Sequence, residues 1–170
     1  MHRSILGLDV LTRITYEMEH PQRRGVQALK EAIVASINEM IADVCGQTGV
    51  KKEQIYEVSV GANCTMMHML LGVDARSIGH APYRPEFTKA QKLKAAGIGL
   101  WAGEETMLYC LPSVSAYIGA DIVAGVRVCG LHEETERCFL SISARTERLS
   151  LQAEDICSAV PARRGLRWKE

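Results

Sequence analysis

Surplus charge is the first thing this chain lacks. Twenty lysines and arginines are matched by twenty aspartates and glutamates, so no global field exists to draw in nucleic acid or an anionic membrane surface. Long apolar runs are missing too: the stretch from Tyr117 to Val126 is interrupted by Gly119 and Asp121 and falls well short of the ~20 residues that span a bilayer. The N-terminus, with Asp9, Glu17 and Glu19 close together, has no extended apolar stretch followed by small residues and does not read as a signal peptide. A cytoplasmic protein is expected. The cysteines, Cys45, Cys64, Cys110, Cys129, Cys138 and Cys157, include no Cys-x-x-Cys pair, which argues against a zinc knuckle or a local iron–sulfur cradle. Free, mostly buried thiols behaving as small hydrophobes are the expectation. Internal repeats and low-complexity tracts are also absent.

What is present suits one α/β domain or a large part of one. The chain has 170 residues with 47% hydrophobic content, enough to bury a core. Between Gln22 and Gly46 the residues Val26, Leu29, Ile33, Ile37, Met40 and Val44 recur at three- and four-residue spacing, which predicts a helix packing that face on a core and stopping at Gly46. Val58 and Val60 flank Ser59 in a strand from Ile55 to Gly61. Asn63 is placed to cap a short apolar helix through Met66, Met67, Met69, Leu70 and Leu71, closed by Gly72.

Pro82 and Pro85 impose an extended loop between Ser77 and Thr88, because each fixes its own φ and biases the residue before it away from helix. Met107 to Leu111 reads as a strand broken by Pro112, after which Ser113 or Ser115 opens a helix through Tyr117, Ile118, Ile122, Val123 and Val126. Arg137 to Ser143 reads as one more strand, with Cys138, Phe139, Leu140 and Ile142 as its apolar residues. Strands alternating with helices give a layered α/β fold, which by itself names no function.

Several side chains at these turns carry two readings. Asn63 and Thr65 sit where a strand turns into a helix, so their oxygens and the nearby amides either face a nucleotide or serve as a cap and a satisfied turn hydroxyl. His68, between Met67 and Met69, reads as a packed histidine, since one histidine does not make a metal site. The methionine cluster reads as core filling.

Three stretches resemble the ATP-dependent reductive activators of corrinoid proteins. They are Gly7-Leu8-Asp9-Val10-Leu11-Thr12-Arg13-Ile14; Gly61-Ala62-Asn63-Cys64-Thr65-Met66-Met67-His68 continuing to Gly72-Val73-Asp74 and Ala81-Pro82-Tyr83; and the run from Leu111-Pro112-Ser113 through Tyr117-Ile118-Gly119-Ala120-Asp121-Ile122 to Gly125. The resemblance spans roughly residues 4 to 140. It implies a partial ribonuclease-H-like (actin-like ATPase) fold, a mixed sheet with flanking helices. It also implies that Gly119, Ala120 and Asp121 lie on a helix near the nucleotide cleft, with Asp121 either positioning magnesium-bound water or only capping and solvating that helix.

In the actin and sugar-kinase superfamily, two glycine-rich hairpins, each led by an aspartate, hold the phosphates and the magnesium ion through backbone N–H groups and a carboxylate. Neither hairpin is visible here. The first is expected upstream of residue 1, and the second should stand near Cys138 as Asp-Ile-Gly-Thr-Asn-Gly-Glu, where the chain instead reads Ser141-Ile142-Ser143-Ala144-Arg145-Thr146-Glu147-Arg148. Plausible codons for Ser141 to Leu149, read from the last base of the Leu140 codon, restore that missing motif. The same displacement over Ala162 to Glu170 gives Ala-Gly-Pro-Ala-Leu-Glu-Gly, similar to the family's adenosine-binding motif. Residues 1–140 are therefore expected to be a partial actin-like ATPase domain and 141–170 a frameshifted or disordered tail. The tail's arginines alternate with Glu147, Glu154, Asp155 and Glu170, and only Trp168 adds a ring, so a nucleic-acid arm is not expected.

For an intact family member the resemblance implies ATP hydrolysis with Mg²⁺, driving a conformational change that lets a low-potential electron reach cob(II)alamin in a partner corrinoid protein or methyltransferase. The electron would come from a [2Fe-2S] cluster in an upstream ferredoxin domain. This chain alone is expected to be inactive. A small-molecule kinase of the same superfamily and a non-catalytic interaction module are the alternatives. In the second, the loop from Tyr83 to Phe87 and the exposed half-core would bind a partner or form a homodimer. Neither a nucleic acid nor a membrane is an expected partner.

Overall fold

The computed structural model describes residues 10–20, 24–133, 139–143 and 148–152. The chain opens with α1 (Val10–Glu19) and α2 (Arg24–Thr48), followed by β1 (Glu57–Val60) and α3 (Cys64–Leu71). Next come β2 (Gln91–Lys94), β3 (Met107–Cys110) and α4 (Ala120–Val128), then β4 (Phe139–Ser143) and β5 (Arg148–Gln152). Gly7 to Asp9, the start of the first resembling stretch, lie outside the described residues.

Three strands form a mixed sheet in the order β1-β3-β2. β1 runs parallel to β3 with Val58 opposite Leu108, and β2 runs antiparallel with Leu93 opposite Leu108. The central strand is the most buried: Leu108 and Cys110 are wholly covered. β4 and β5 pair antiparallel in a separate two-stranded sheet. Their alternating Leu-Ser-Ile and Leu-Ser-Leu patterns suit a hairpin backbone. This hairpin takes in part of the stretch expected to be a tail.

α3 is the hub of packing. Met67 and Leu70 join Val34 of α2, Ala95, Ile98, Leu100 and the sheet residues Leu108 and Cys110 in one core cluster. Cys64 and Met69, from the same helix, join Ile14 of α1, Leu29 of α2, Ala75 and Ile78 in a second. An eight-residue helix that is apolar all round can only be stable when covered on several sides, and here it is. The methionines fill core as expected, with Met67 and Met69 buried.

Four differences from the sequence reading have identifiable physical causes. α2 does not stop at Gly46 but runs to Thr48, and Gly49 then takes the left-handed conformation at φ 72° with its N–H bonded to Cys45 O. The apolar face of α2 is covered at Leu29 and Val34, yet Met40 and Val44 are 54% and 58% exposed, because the second core cluster ends before that part of the helix. The helix expected to open at Ser113 or Ser115 begins at Ala120 instead. The Ser115 hydroxyl accepts from the N–H groups of Tyr117 and Ile118 and closes a turn there, a local bond that competes with helix. β2 was not foreseen, since Gln91-Lys92-Leu93-Lys94 offers one apolar residue and is held by its pairing with β3.

Asn38 shows how α2 is locked to the sheet side. It is 5% exposed, its Nδ2 donates to Gly99 O at 3.0 Å, and its Oδ1 accepts from Trp101 N at 2.7 Å. One buried amide thus satisfies two backbone groups of the segment preceding β3.

Candidate functional site

The strand-to-helix turn after β1 and the start of α4 form one joint. Asn63 is the N-cap of α3 as expected: its backbone is extended (φ −62°, ψ 160°) and its Oδ1 accepts from Met66 N at 2.9 Å. Gly72 closes the helix in the left-handed conformation, also as expected. Ala62, one residue before the cap, offers its carbonyl to the first amides of α4, receiving Ala120 N at 3.0 Å and Asp121 N at 3.3 Å. These are donors that a helix start leaves without an intrahelical partner.

Gly119 makes this approach possible. A Cβ built on it would lie 2.6 Å from Asn63 Cα and 3.0 Å from Cys64 N, so any side chain there would push the two helix starts apart. The four candidate residues are therefore brought together. Thr65 is buried at 2% exposure, Gly119 is buried, Asn63 is half-buried, and Asp121 is exposed on the first turn of α4 with Oδ1 accepting from Ile122 N at 2.9 Å.

By themselves these four do not make a complete site for a magnesium triphosphate. The amides at the α4 start are engaged by Ala62 O, the space before Gly119 is filled by Asn63, and Asn63 Oδ1 is engaged by Met66. Among the described residues, no group of three or more His, Cys, Asp or Glu is placed to hold a metal ion.

His68 sits one turn along α3 and is the packed histidine that the sequence suggests. It is fully buried. Nδ1 donates to Cys64 O at 2.8 Å, Nε2 accepts from Glu86 N at 3.1 Å, and the ring stacks on Phe87 at 4.2 Å. These bonds require the neutral imidazole, and burial lowers its pKa below the usual histidine value. His68 thereby pins the proline-containing loop to the core. Burial likewise pushes the Cys64 and Cys110 thiols up to about 11, which leaves them protonated and unreactive. Cys45 is half-buried and Cys129 exposed, both as free thiols.

A second polar centre went unrecognised in the sequence. Glu17, on the last turns of α1, is 2% exposed, and its Oε1 and Oε2 accept from Ala75 N at 3.1 and 3.4 Å. Its carboxyl also lies within hydrogen-bonding reach of Asp74, which is itself clamped by Arg76. Burial, with Asp74 adding to it, pushes Glu17 up to about 7, whereas the Arg76 contact holds Asp74 at about 2. Only the helical spacing of Glu17 three residues after Ile14 hinted at a buried position. No helix among the described residues is long and apolar enough to cross a membrane.

Comparison with known proteins is consistent with this architecture. A 118-residue stretch is 29% identical to the "Corrinoid activation enzyme RamQ" of Eubacterium limosum, covering 69% of this chain and 20% of that protein. A solved structure described as "Reductive activator for corrinoid,iron-sulfur protein" superimposes with a TM-score of 0.76 at 33% identity, covering 80% of this chain and 21% of that one. The chain thus spans about a fifth of the length of the relatives it matches. The family model described as "RACo middle region" matches residues 2–134, and with four-fifths of the fold shared with a reductive activator, the chain belongs to the RACo middle region family.

Proposed function

We propose that this chain is a segment of an ATP-dependent reductive activator of corrinoid proteins, and that it is inactive by itself. The observation that carries the reading is the family match over residues 2–134 together with the 33% identical structural likeness to a reductive activator. In the longer protein, ATP and Mg²⁺ would be held by phosphate-binding hairpins outside the described residues. The joint of Asn63, Thr65 and Gly119 would form the floor beneath them, with Asp121 the candidate facing outward. The partner would be a corrinoid protein, and the electron would come from a [2Fe-2S] domain.

The finer fold assignment, a partial ribonuclease-H-like, actin-like ATPase domain, is supported by two successive strand–turn–helix units, β1 into α3 and β3 into α4, whose strands are parallel neighbours. The outer edge of β1 is unpaired among the described residues, which is where such a sheet would continue. We also propose that residues 141–170 are read one base out of frame, because codons compatible with these residues can, on one displacement, read as two separate nucleotide-binding motifs.

The test is reduction of a cob(II)alamin-loaded corrinoid protein by the longer protein that carries this segment, supplied with ATP, Mg²⁺ and a one-electron donor. Appearance of the cob(I)alamin spectrum only when ATP is present is the expected result. Phosphate transfer to an added sugar or organic acid, with no change at cobalt, would overturn the reading in favour of a kinase.

A further inference from the structure

Two acids meet where α1 is fastened to the rest of the molecule. α1 lies against the segment after α3 through Ile14, so close to Gly79 that a Cβ there would come within 2.7 Å of Ile14 Cγ2. Near its other end the Glu17 carboxyl reaches the Ala75 N–H, and Ala75 is itself completely buried. The groups facing Glu17 can be named element by element. From the segment after α3 come Asp74 and Arg76. From α2 the neighbour is Gly25, which has no side chain and sits against the Glu17 backbone, while Lys30 of α2 lies instead against Gly72. On α1 itself, the Arg13 guanidinium is directed at the Met66 sulfur.

Arg76 is committed to Asp74, donating from Nε to both carboxylate oxygens at 3.0 and 2.9 Å. Glu17 is therefore a buried carboxyl beside a second carboxylate whose cation is already engaged. A carboxylate in that position would be desolvated and repelled by its neighbour, whereas a neutral carboxylic acid fits every contact. Ala75 N donates to the Glu17 carboxyl, and a hydroxyl on the neutral acid could donate to Asp74.

We propose that Glu17 and Asp74 form a one-proton latch that holds α1 against the Asp74–Ile78 segment and releases it when the shared proton is lost to solvent. Ala75 N reaches Glu17 across 58 residues of sequence in either protonation state, and the proton adds the contact with Asp74. Once it leaves, two negative charges face each other beside one guanidinium that Asp74 already holds, and Glu17 no longer has a proton to donate to Asp74. The device acts on the acid side of neutrality, between the ordinary glutamate range and the value to which burial raises the Glu17 carboxyl. It rests on this geometry and is independent of the corrinoid reading.

The test is amide hydrogen exchange of α1 in the full chain from about pH 4 to about pH 8, corrected for intrinsic exchange rates, comparing the wild type with E17Q and D74N. A glutamine mimics the neutral acid, accepting from Ala75 N and donating to Asp74. Wild-type α1 is expected to lose protection by up to about tenfold per pH unit as pH rises from 4.5 to about 7, and to level off above that. E17Q should keep its protection, and D74N should move the transition downward or abolish it. Should E17Q fail to fold, the ¹³C shift of the Glu17 carboxyl in the wild type gives a second reading. A midpoint near neutrality supports the latch, and one in the ordinary glutamate range overturns it. Identical pH dependence of α1 protection in wild type and folded E17Q would also overturn it.

Discussion

Gly119 and Asn63 touch backbone to backbone: a methyl group added to Gly119 would stand 2.6 Å from the Asn63 Cα. The contact ties the start of α4 to the cap of α3. Because Gly119 has an ordinary φ of −80°, the cost of a side chain there is purely steric. G119A is expected to lose about 1–3 kcal/mol, the range for overpacking a closed contact, read as a lower urea midpoint. N63A should lose about 1 kcal/mol by removing the cap, while N63D should be close to wild type. A G119A protein as stable as the wild type would show that the joint is looser than its geometry implies.

Gly46 supplies the opposite case. It lies inside α2, and a methyl group added there would meet nothing within 4 Å. G46A should therefore stabilise the helix by up to about 1 kcal/mol. Gly49, at φ 72°, should respond with the other sign, G49A costing about 1 kcal/mol through left-handed strain. Thermal melts of the two variants would separate these outcomes.

His68 should make the fold sensitive to acid. Its folded pKa is lowered by burial, so the contribution is present above the unfolded value of about 6.5 and is lost as pH falls below it. The check is the difference in urea midpoint between wild type and H68Q from about pH 5 to about pH 7.5. The wild type should lose ground to the variant as the solution is acidified. A constant difference would mean that the ring accommodates its charge.

Glu17 works in the other direction. Its pKa rises from 4.5 to about 7 on folding, so its contribution to stability is complete below about pH 4.5 and declines as pH rises to about 7. E17Q should gain on the wild type across that window and not outside it. Asp74, with its pKa lowered by Arg76, stabilises above the unfolded carboxylate range and loses that effect as pH falls toward about 2.

Resequencing the coding DNA from the Phe139 codon to beyond the Glu170 codon checks the displaced-frame proposal. The expected finding is a single missing or extra base that restores Asp-Ile-Gly-Thr-Asn-Gly-Glu. An unchanged sequence would rule out a sequencing error and leave a damaged gene or a genuinely divergent tail.

Much of the central region was legible because its signals are local. Asn63 before an apolar run and Gly72 after it define α3 by cap and stop chemistry that acts within a few residues, and the alternation around Val58 and the apolar run at Leu108 define two strands. His68 could be read as packed because its neighbours in sequence are apolar. The start of α4 was misplaced since Ser115 can cap a turn as well as a helix, and the choice depends on where Ala62 O waits for the α4 amides.

From the sequence alone followed the alternation of strands and helices, the capped α3, the extended proline loop and the family resemblance, all properties of neighbouring residues. Tertiary structure alone decided that β2 exists, that Met40 and Val44 face solvent, that Asn38 bridges to Gly99 and Trp101, and that Glu17 meets Asp74. Each of these depends on which distant segment arrives opposite a given side chain. Periodicity can say that one face of a helix is apolar, but a buried acid or amide is tolerated only where a partner from elsewhere in the chain satisfies it.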